Sequence, residues 1–245
     1  MGNVKNESME PPLIQKKQIV ALLLAIATVP FVSNSGAQYF LLAFIVVLFF
    51  NAFAPFLFYK LKYSRYIHAA VYYLPMYIPI VVMPELIAKL FSIPSLFSLF
   101  LAAALGMALL WIKRRFANPS TFQAKLKKKD VPYEVLIAVI TLIGEEVFFR
   151  GVLISMLGDL GILEVSLFSA CCFVLIHFLN RWADRMFDRK SYLFHFIVGF
   201  IAALLFILSE SLIPAIVFHA IFNADSYYEI YLRTQVVEDY SFDDY

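Results

Sequence analysis

The run Gly144-Glu145-Glu146-Val147-Phe148-Phe149-Arg150-Gly151 sets two carboxylates and a guanidinium inside an otherwise apolar stretch. At bilayer depth each such charge costs roughly 2.5–3.5 kcal/mol near a helix centre. Glu146 and Arg150 stand i, i+4 with the carboxylate first, the favourable order for an intrahelical pair. They are expected to neutralise each other as a structural clamp. Glu145 lies about 100° around the helix from Glu146 and has no basic residue at i±3 or i±4. It needs a partner on another helix, a metal ion or a proton, which makes it the candidate reactive group. The competing reading is that both glutamates only hold helices together.

Two later apolar stretches supply partners. His177 ends the run Phe173-Val174-Leu175-Ile176-His177, and His219-Ala220-Ile221-Phe222-Asn223 puts an imidazole and an amide one turn apart. A lone histidine near a span end is usually an interfacial or hydrogen-bonded core residue, and His195, at the start of the seventh stretch, is expected at the interface in a structural role. Glu145, His177, His219 and Asn223 together hold what peptide hydrolysis needs. A carboxylate or imidazole deprotonates water, and a donor stabilises the oxyanion. Glu145, His177 and His219 could equally hold a zinc ion with an open position for water. The chain has no His-Glu-x-x-His helix and no Gly-x-Ser-x-Gly elbow.

These residues must be positioned by spanning helices. Of 245 residues 62% are hydrophobic and 16% charged, with a mean hydropathy of +0.79, whereas a soluble domain carries about 25% charged residues. The composition predicts an all-α, polytopic membrane helix bundle, with membrane lipids as neighbours and no nucleic-acid partner. Eight apolar stretches fall near 17–33, 38–59, 66–89, 95–112, 133–157, 162–180, 192–208 and 211–232. The first and seventh are short for a span. Pro75, Pro79 and Pro84 should break or kink the third. Asp130 and Pro132 read as an N-cap and first-turn pair for the fifth.

Lysine and arginine give orientation. With the N-terminus inside, Lys5, Lys16, Lys17, Lys60, Lys62, Arg65, the seven between Lys113 and Lys129, Arg181, Arg185, Arg189, Lys190 and Arg233 all fall on the cytoplasmic side. Outside loops hold only Lys89, while Arg150 is within a span. The positive-inside rule therefore predicts about eight transmembrane helices with both termini in the cytoplasm. The basic loop 113–131 reads as a topology anchor on anionic headgroups, and the acidic tail from Glu238 to Tyr245 as a frayed end. Cys171 and Cys172 are adjacent and cannot readily bridge each other; they read as small lipid- or core-facing residues. No linker or repeat divides the chain, so residues 1–245 read as one integral membrane domain; the compact, lysine-rich chain suits a bacterial cell membrane.

The motif residues resemble the CPBP intramembrane proteases (CAAX proteases and bacteriocin-processing enzymes, also called Abi proteins). That pattern is Glu-Glu-x-x-x-Arg in one helix, Phe-x-x-x-His in the next and a later His-x-x-x-Asn. Here it falls on Glu145, Glu146 and Arg150, on Phe173 and His177, and on His219 and Asn223. The resemblance covers roughly residues 130–225, and type II CAAX prenyl endopeptidases also have eight helices. It implies an endopeptidase with a cavity open to the cytoplasm. Glu145 and His177 would activate the water, and His219 and Asn223 would stabilise the oxyanion. It leaves open a zinc-dependent or a purely glutamate-dependent mechanism. The substrate it implies is a peptide or lipidated peptide.

Two other classes compete. A non-catalytic immunity or scaffold protein of the same fold would be marked by loss of a motif residue, and none is lost. An ion-coupled transporter using Glu145 and the histidines as a relay would show paired broken helices in two related halves, a symmetry the sequence lacks.

Overall fold

A computed structural model describes residues 16–32, 35–58, 73–84, 90–116, 126–157, 160–179 and 187–235. Lys5, Lys60, Lys62, Arg65, Lys89, Lys125, Arg181, Arg185 and the acidic tail, on which parts of the orientation argument rest, lie outside the described residues.

All regular structure among the described residues is helical. Helix α1 runs Lys16–Thr28 and α2 runs Ser35–Phe58. The proline-rich third stretch is broken, as its sequence predicts. Its described part is a 3-10 turn, Leu74–Tyr77, and a five-residue helix α3, Ile78–Val82. Helix α4 spans Leu96–Phe116 and α5 spans Val131–Glu146. Asp130 takes the N-cap position of α5 but makes no capping bond there, because its backbone is already helical after a 3-10 turn. Helices α6 (Leu153–Met156), α7 (Ile162–Leu179), α8 (Arg189–Ser209), α9 (Leu212–Phe222) and α10 (Ala224–Leu232) complete the order.

Four helices among the described residues are long and apolar enough to cross a membrane: Ser35–Phe53 within α2, then α4, α7 and α8. The protein is an integral membrane protein. The seventh apolar stretch, short by its sequence, becomes a 21-residue helix because Asp188 caps it early, its side chain accepting from the Ser191 N–H at 2.8 Å. The eighth stretch is not one helix. It stops at Asn223 (φ −86°, ψ 8°) and restarts as α10.

Close backbone approach holds the C-terminal helices together. In lipid no hydrophobic gradient drives helix against helix, so small residues and polar contacts must do so. A Cβ on Gly106 of α4 would stand 2.9 Å from the Phe218 carbonyl oxygen of α9. One on Gly199 of α8 would stand 2.9 Å from Cα of Ala170 in α7. Helices α8 and α9 turn on Glu210, whose φ of 51° closes α8, and on Ser211. The Ser211 hydroxyl donates to the Ser92 carbonyl at 2.7 Å.

Candidate active site

The fifth stretch was expected to be a plain α-helix from 133 to 157. Instead its winding changes immediately after the glutamate pair. Val147–Val152 is a π-helix, and all six of its residues are buried. Such wide turns are rare and cluster at functional sites. The segment is enclosed on several sides. Phe40 and Phe44 of α2 pack on Phe148 with ring centroids 5.3 and 6.3 Å apart, and Phe149 meets Phe173 of α7 at 5.6 Å. The Phe149 carbonyl accepts a hydrogen bond from the Ser169 hydroxyl at 2.8 Å, so α7 supplies the partner for a main-chain group at the re-wound turn.

Glu146 and Arg150 form the expected clamp. Both side chains are fully buried, with Arg150 Nε 3.3 Å from Glu146 Oε2. The contact is an ion pair without an aligned hydrogen bond. Arg150 is also held by its surroundings: Nη2 donates to the Gly199 carbonyl at 3.4 Å, and the guanidinium lies 4.5 Å over the Phe173 ring. The clamp has a third member that the spacing rule did not reveal. Glu146 Oε1 lies 2.6 Å from His219 Nδ1. A carboxylate between a guanidinium and an imidazole fixes which ring nitrogen carries hydrogen, so His219 turns its Nε2 away from Glu146.

Glu145 takes the other direction. Its Oε1 stands 3.8 Å from His177 Nε2, beyond direct hydrogen-bond reach and short enough for both groups to contact one water. His177 Nδ1 donates to the Phe173 carbonyl at 2.8 Å, which leaves Nε2 for the site. The sequence places His177 nearer its helix end than Glu145 is to its own. The structure resolves this by an offset between antiparallel helices. Phe149 faces Phe173, Glu145 faces His177, and α5 begins beyond the end of α7.

The expected residues thus meet in two pairs rather than one ring: Glu145 with His177, and Glu146 with His219. Phe173 lies between them, its ring 4.5 Å from that of His177 and 5.7 Å from that of His219. Asn223 is half-buried and its N–H donates to the His219 carbonyl at 3.0 Å, so amide and imidazole sit either side of the break between α9 and α10. Arg114 ties this break to α4 by donating to Asp225 from Nε at 2.9 Å and from Nη2 at 2.7 Å. Glu145, His177 and His219 do not form a chelating set: among the described residues no group of three or more His, Cys, Asp or Glu is arranged to hold a metal ion. His195, expected at the interface, instead stacks on His177 with ring centroids 4.1 Å apart. Its sequence signal was the small residue one turn on, Gly199, which marks the face of α8 that packs on α7.

Residues 128–224 match the family model described as type II CAAX prenyl endopeptidase Rce1-like. This segment belongs to the CPBP, or CAAX protease, family. The match begins just before α5 and ends just after Asn223, so all three motifs of this CAAX-protease segment fall inside it. No curated protein and no solved structure matches the chain.

Proposed function

We propose that the chain is an intramembrane endopeptidase that hydrolyses a peptide bond of a membrane-associated or lipidated peptide. In this reading it crosses the membrane eight times with both termini in the cytoplasm, and its site opens to that side. The observation that carries the proposal is the convergence of Glu145 and His177 to 3.8 Å from two separate helices, beside a second pair, Glu146 and His219, at 2.6 Å. Helices packed for stability alone do not gather two buried carboxylates and two imidazoles around one aromatic ring.

The roles follow from the free atoms. A water between Glu145 Oε1 and His177 Nε2 gives a proton to one of them as its oxygen attacks the carbonyl carbon of the scissile bond. The negative charge moves to the former carbonyl oxygen. His219, held at Nδ1 by Glu146, presents Nε2 toward that oxygen. As an imidazolium it donates there, with Glu146 as counter-charge. The Asn223 amide is the second donor. The tetrahedral intermediate collapses as the proton passes to the departing amine nitrogen. No step requires a metal ion.

The test is cleavage of a fluorogenic peptide library and a farnesylated CAAX peptide by protein reconstituted in liposomes. Glu145→Gln should lower kcat by about 10²–10⁴-fold, the usual contribution of a positioned general base. Wild-type activity that survives in Glu145→Gln would overturn the assignment. Failure of the wild type on every peptide would favour the immunity or scaffold reading.

A further inference from the structure

One hydrogen bond does not by itself keep the His177 ring turned toward Glu145. Its Nδ1 bond runs to a carbonyl of its own helix, one turn back, and a single bond leaves the ring free to pivot about the N–H···O axis. Two aromatic neighbours remove that freedom. The edge of Phe173 meets one side at 4.5 Å with the planes 60° apart. His195 lies on the ring at 4.1 Å with the planes only 29° apart, which is stacking rather than edge contact. Phe187 then packs edge-on against His195 at 4.8 Å and reaches His177 at 5.8 Å, closing the far side.

The backbone explains why this stack can form. Helices α7 and α8 are antiparallel and come into close backbone contact where Gly199 meets Ala170. One turn back from Gly199 along α8 is His195, and two turns on from Ala170 along α7 is His177. The missing Cβ at Gly199 lets α7 and α8 approach closely on the faces that also carry the two imidazoles. The Gly199 carbonyl also receives the Arg150 Nη2 hydrogen bond, so the same residue ties α8 to the glutamate-bearing segment.

We propose that His195 is a positioning residue for His177, acting by stacking so that Nε2 is held toward Glu145. This rests on the peptidase reading, in which His177 handles the water. It touches neither substrate nor water itself. Its effect belongs in kcat, and a flat aromatic ring of another kind should replace it.

The experiment compares His195→Phe with His195→Leu in liposomes on the farnesylated CAAX peptide, together with nitrogen-15 NMR of the histidine rings in the same preparations. The chain has only four histidines, so His177 is assigned by its loss in His177→Gln. Misplacing a catalytic group by about 1 Å can cost about 100-fold. On that scale His195→Leu should lower kcat by at least about 10-fold with KM little changed, while His195→Phe stays within about 3-fold. In the spectra His177 should keep a single ring environment in wild type and His195→Phe and lose it in His195→Leu. An unchanged His177 signal in His195→Leu overturns the proposal whatever the activity. Equal losses in Phe and Leu overturn it too, because a nitrogen and not the ring face would then matter. Should the peptide not be cleaved at all, the NMR comparison still decides the stacking role, and only the peptidase reading falls.

Discussion

Helices α1 to α4 and helices α5 to α9 draw on the same apolar alphabet, yet they bury different things. In the first group the buried polar side chains among the described residues are Gln18 and Asn51; in the second they are Glu145, Glu146, Arg150, Ser166, Ser169, Ser211 and His219. Of the N-terminal helices, α2 meets the rest largely through rings, with Phe40 and Phe44 stacked on each other at 5.8 Å and packed on Phe148, whereas α4 meets it at Gly106 against Phe218 and through Arg114 and Asp225. Gln18 donates to the Leu179 carbonyl at 2.9 Å and pins the start of α1 to the end of α7. The C-terminal helices meet through charges, hydroxyls and glycines. The family match covers only this second group. In a bilayer apolar surface has no preference between protein and lipid, so a ring-lined wall specifies position loosely, whereas a buried ion pair tolerates only one arrangement.

The sharpest way to break this contrast is to unpair the clamp. Arg150→Ala leaves Glu146 fully buried with only His219 for a partner. Breaking a buried pair by removing one member costs about 3–5 kcal/mol. Thermal unfolding in mild detergent should show Arg150→Ala as the most destabilised variant, with Glu145→Ala far milder, since Glu145 makes only the longer 3.8 Å approach to His177. Equal losses for the two variants would mean that the glutamates share one structural job and that the polar group is not divided into clamp and reactive pair.

A test of the apolar wall comes next. Phe44 packs on Phe40, Phe148 and Phe149, so Phe44→Ala opens a void beside the π-helix. The transfer term that dominates such substitutions in water is absent in lipid. Only the cavity term remains, about 2 kcal/mol for a lost phenyl ring. The same melting assay should place Phe44→Ala well below Arg150→Ala in effect, with peptidase activity kept at temperatures where the fold survives. A larger loss from Phe44 than from Arg150 would reverse the comparison, making the wall rather than the clamp the determinant of the bundle.

The two groups also differed in how far their sequences could be read. Charges in an apolar run are conspicuous, and i, i+4 spacing was enough to pair Glu146 with Arg150. The spacing rule stops at the helix surface, so it could not show Glu146 reaching His219 on α9, a contact that depends on how α9 packs against α5 and against α4 at Gly106. The π-helix was invisible because Val147–Val152 has no proline or glycine pair to announce it; its wide turn depends on Ser169, twenty residues on, accepting the role of hydrogen-bond donor. The halt of α9 at Asn223 was missed because the apolar run continues on both sides of it. His195 has the structural role expected of it but not the interfacial place, because an imidazole near a span end has the same sequence signature whether it meets headgroups or another ring. In the N-terminal group the prolines foretold the break near Pro75 and Pro79, but aromatic residues that stack and those that face lipid look alike in a sequence.

The smallest expected effect marks where the contrast ends, at the membrane surface. Asp188 caps α8, accepting from the Ser191 N–H at 2.8 Å and from its hydroxyl at 2.7 Å. Those two bonds hold its carboxyl below the ordinary carboxylate range. A carboxyl lowered in the folded state stabilises the fold above its unfolded pKa, and that contribution is lost as pH falls through the folded value. Asp188→Ala should therefore cost about 1 kcal/mol or less near neutral pH, the usual worth of an exposed N-cap. The gap between wild type and variant should stay level from pH 8 to 6, then narrow as the solution is taken below about 4. Because the cap is exposed and touches neither pair of site residues, cleavage rates at neutral pH should hold. A marked fall in rate would instead mean that the start of α8 governs the His177–His195 stack, and that the polar group extends to the water-facing end of the bundle.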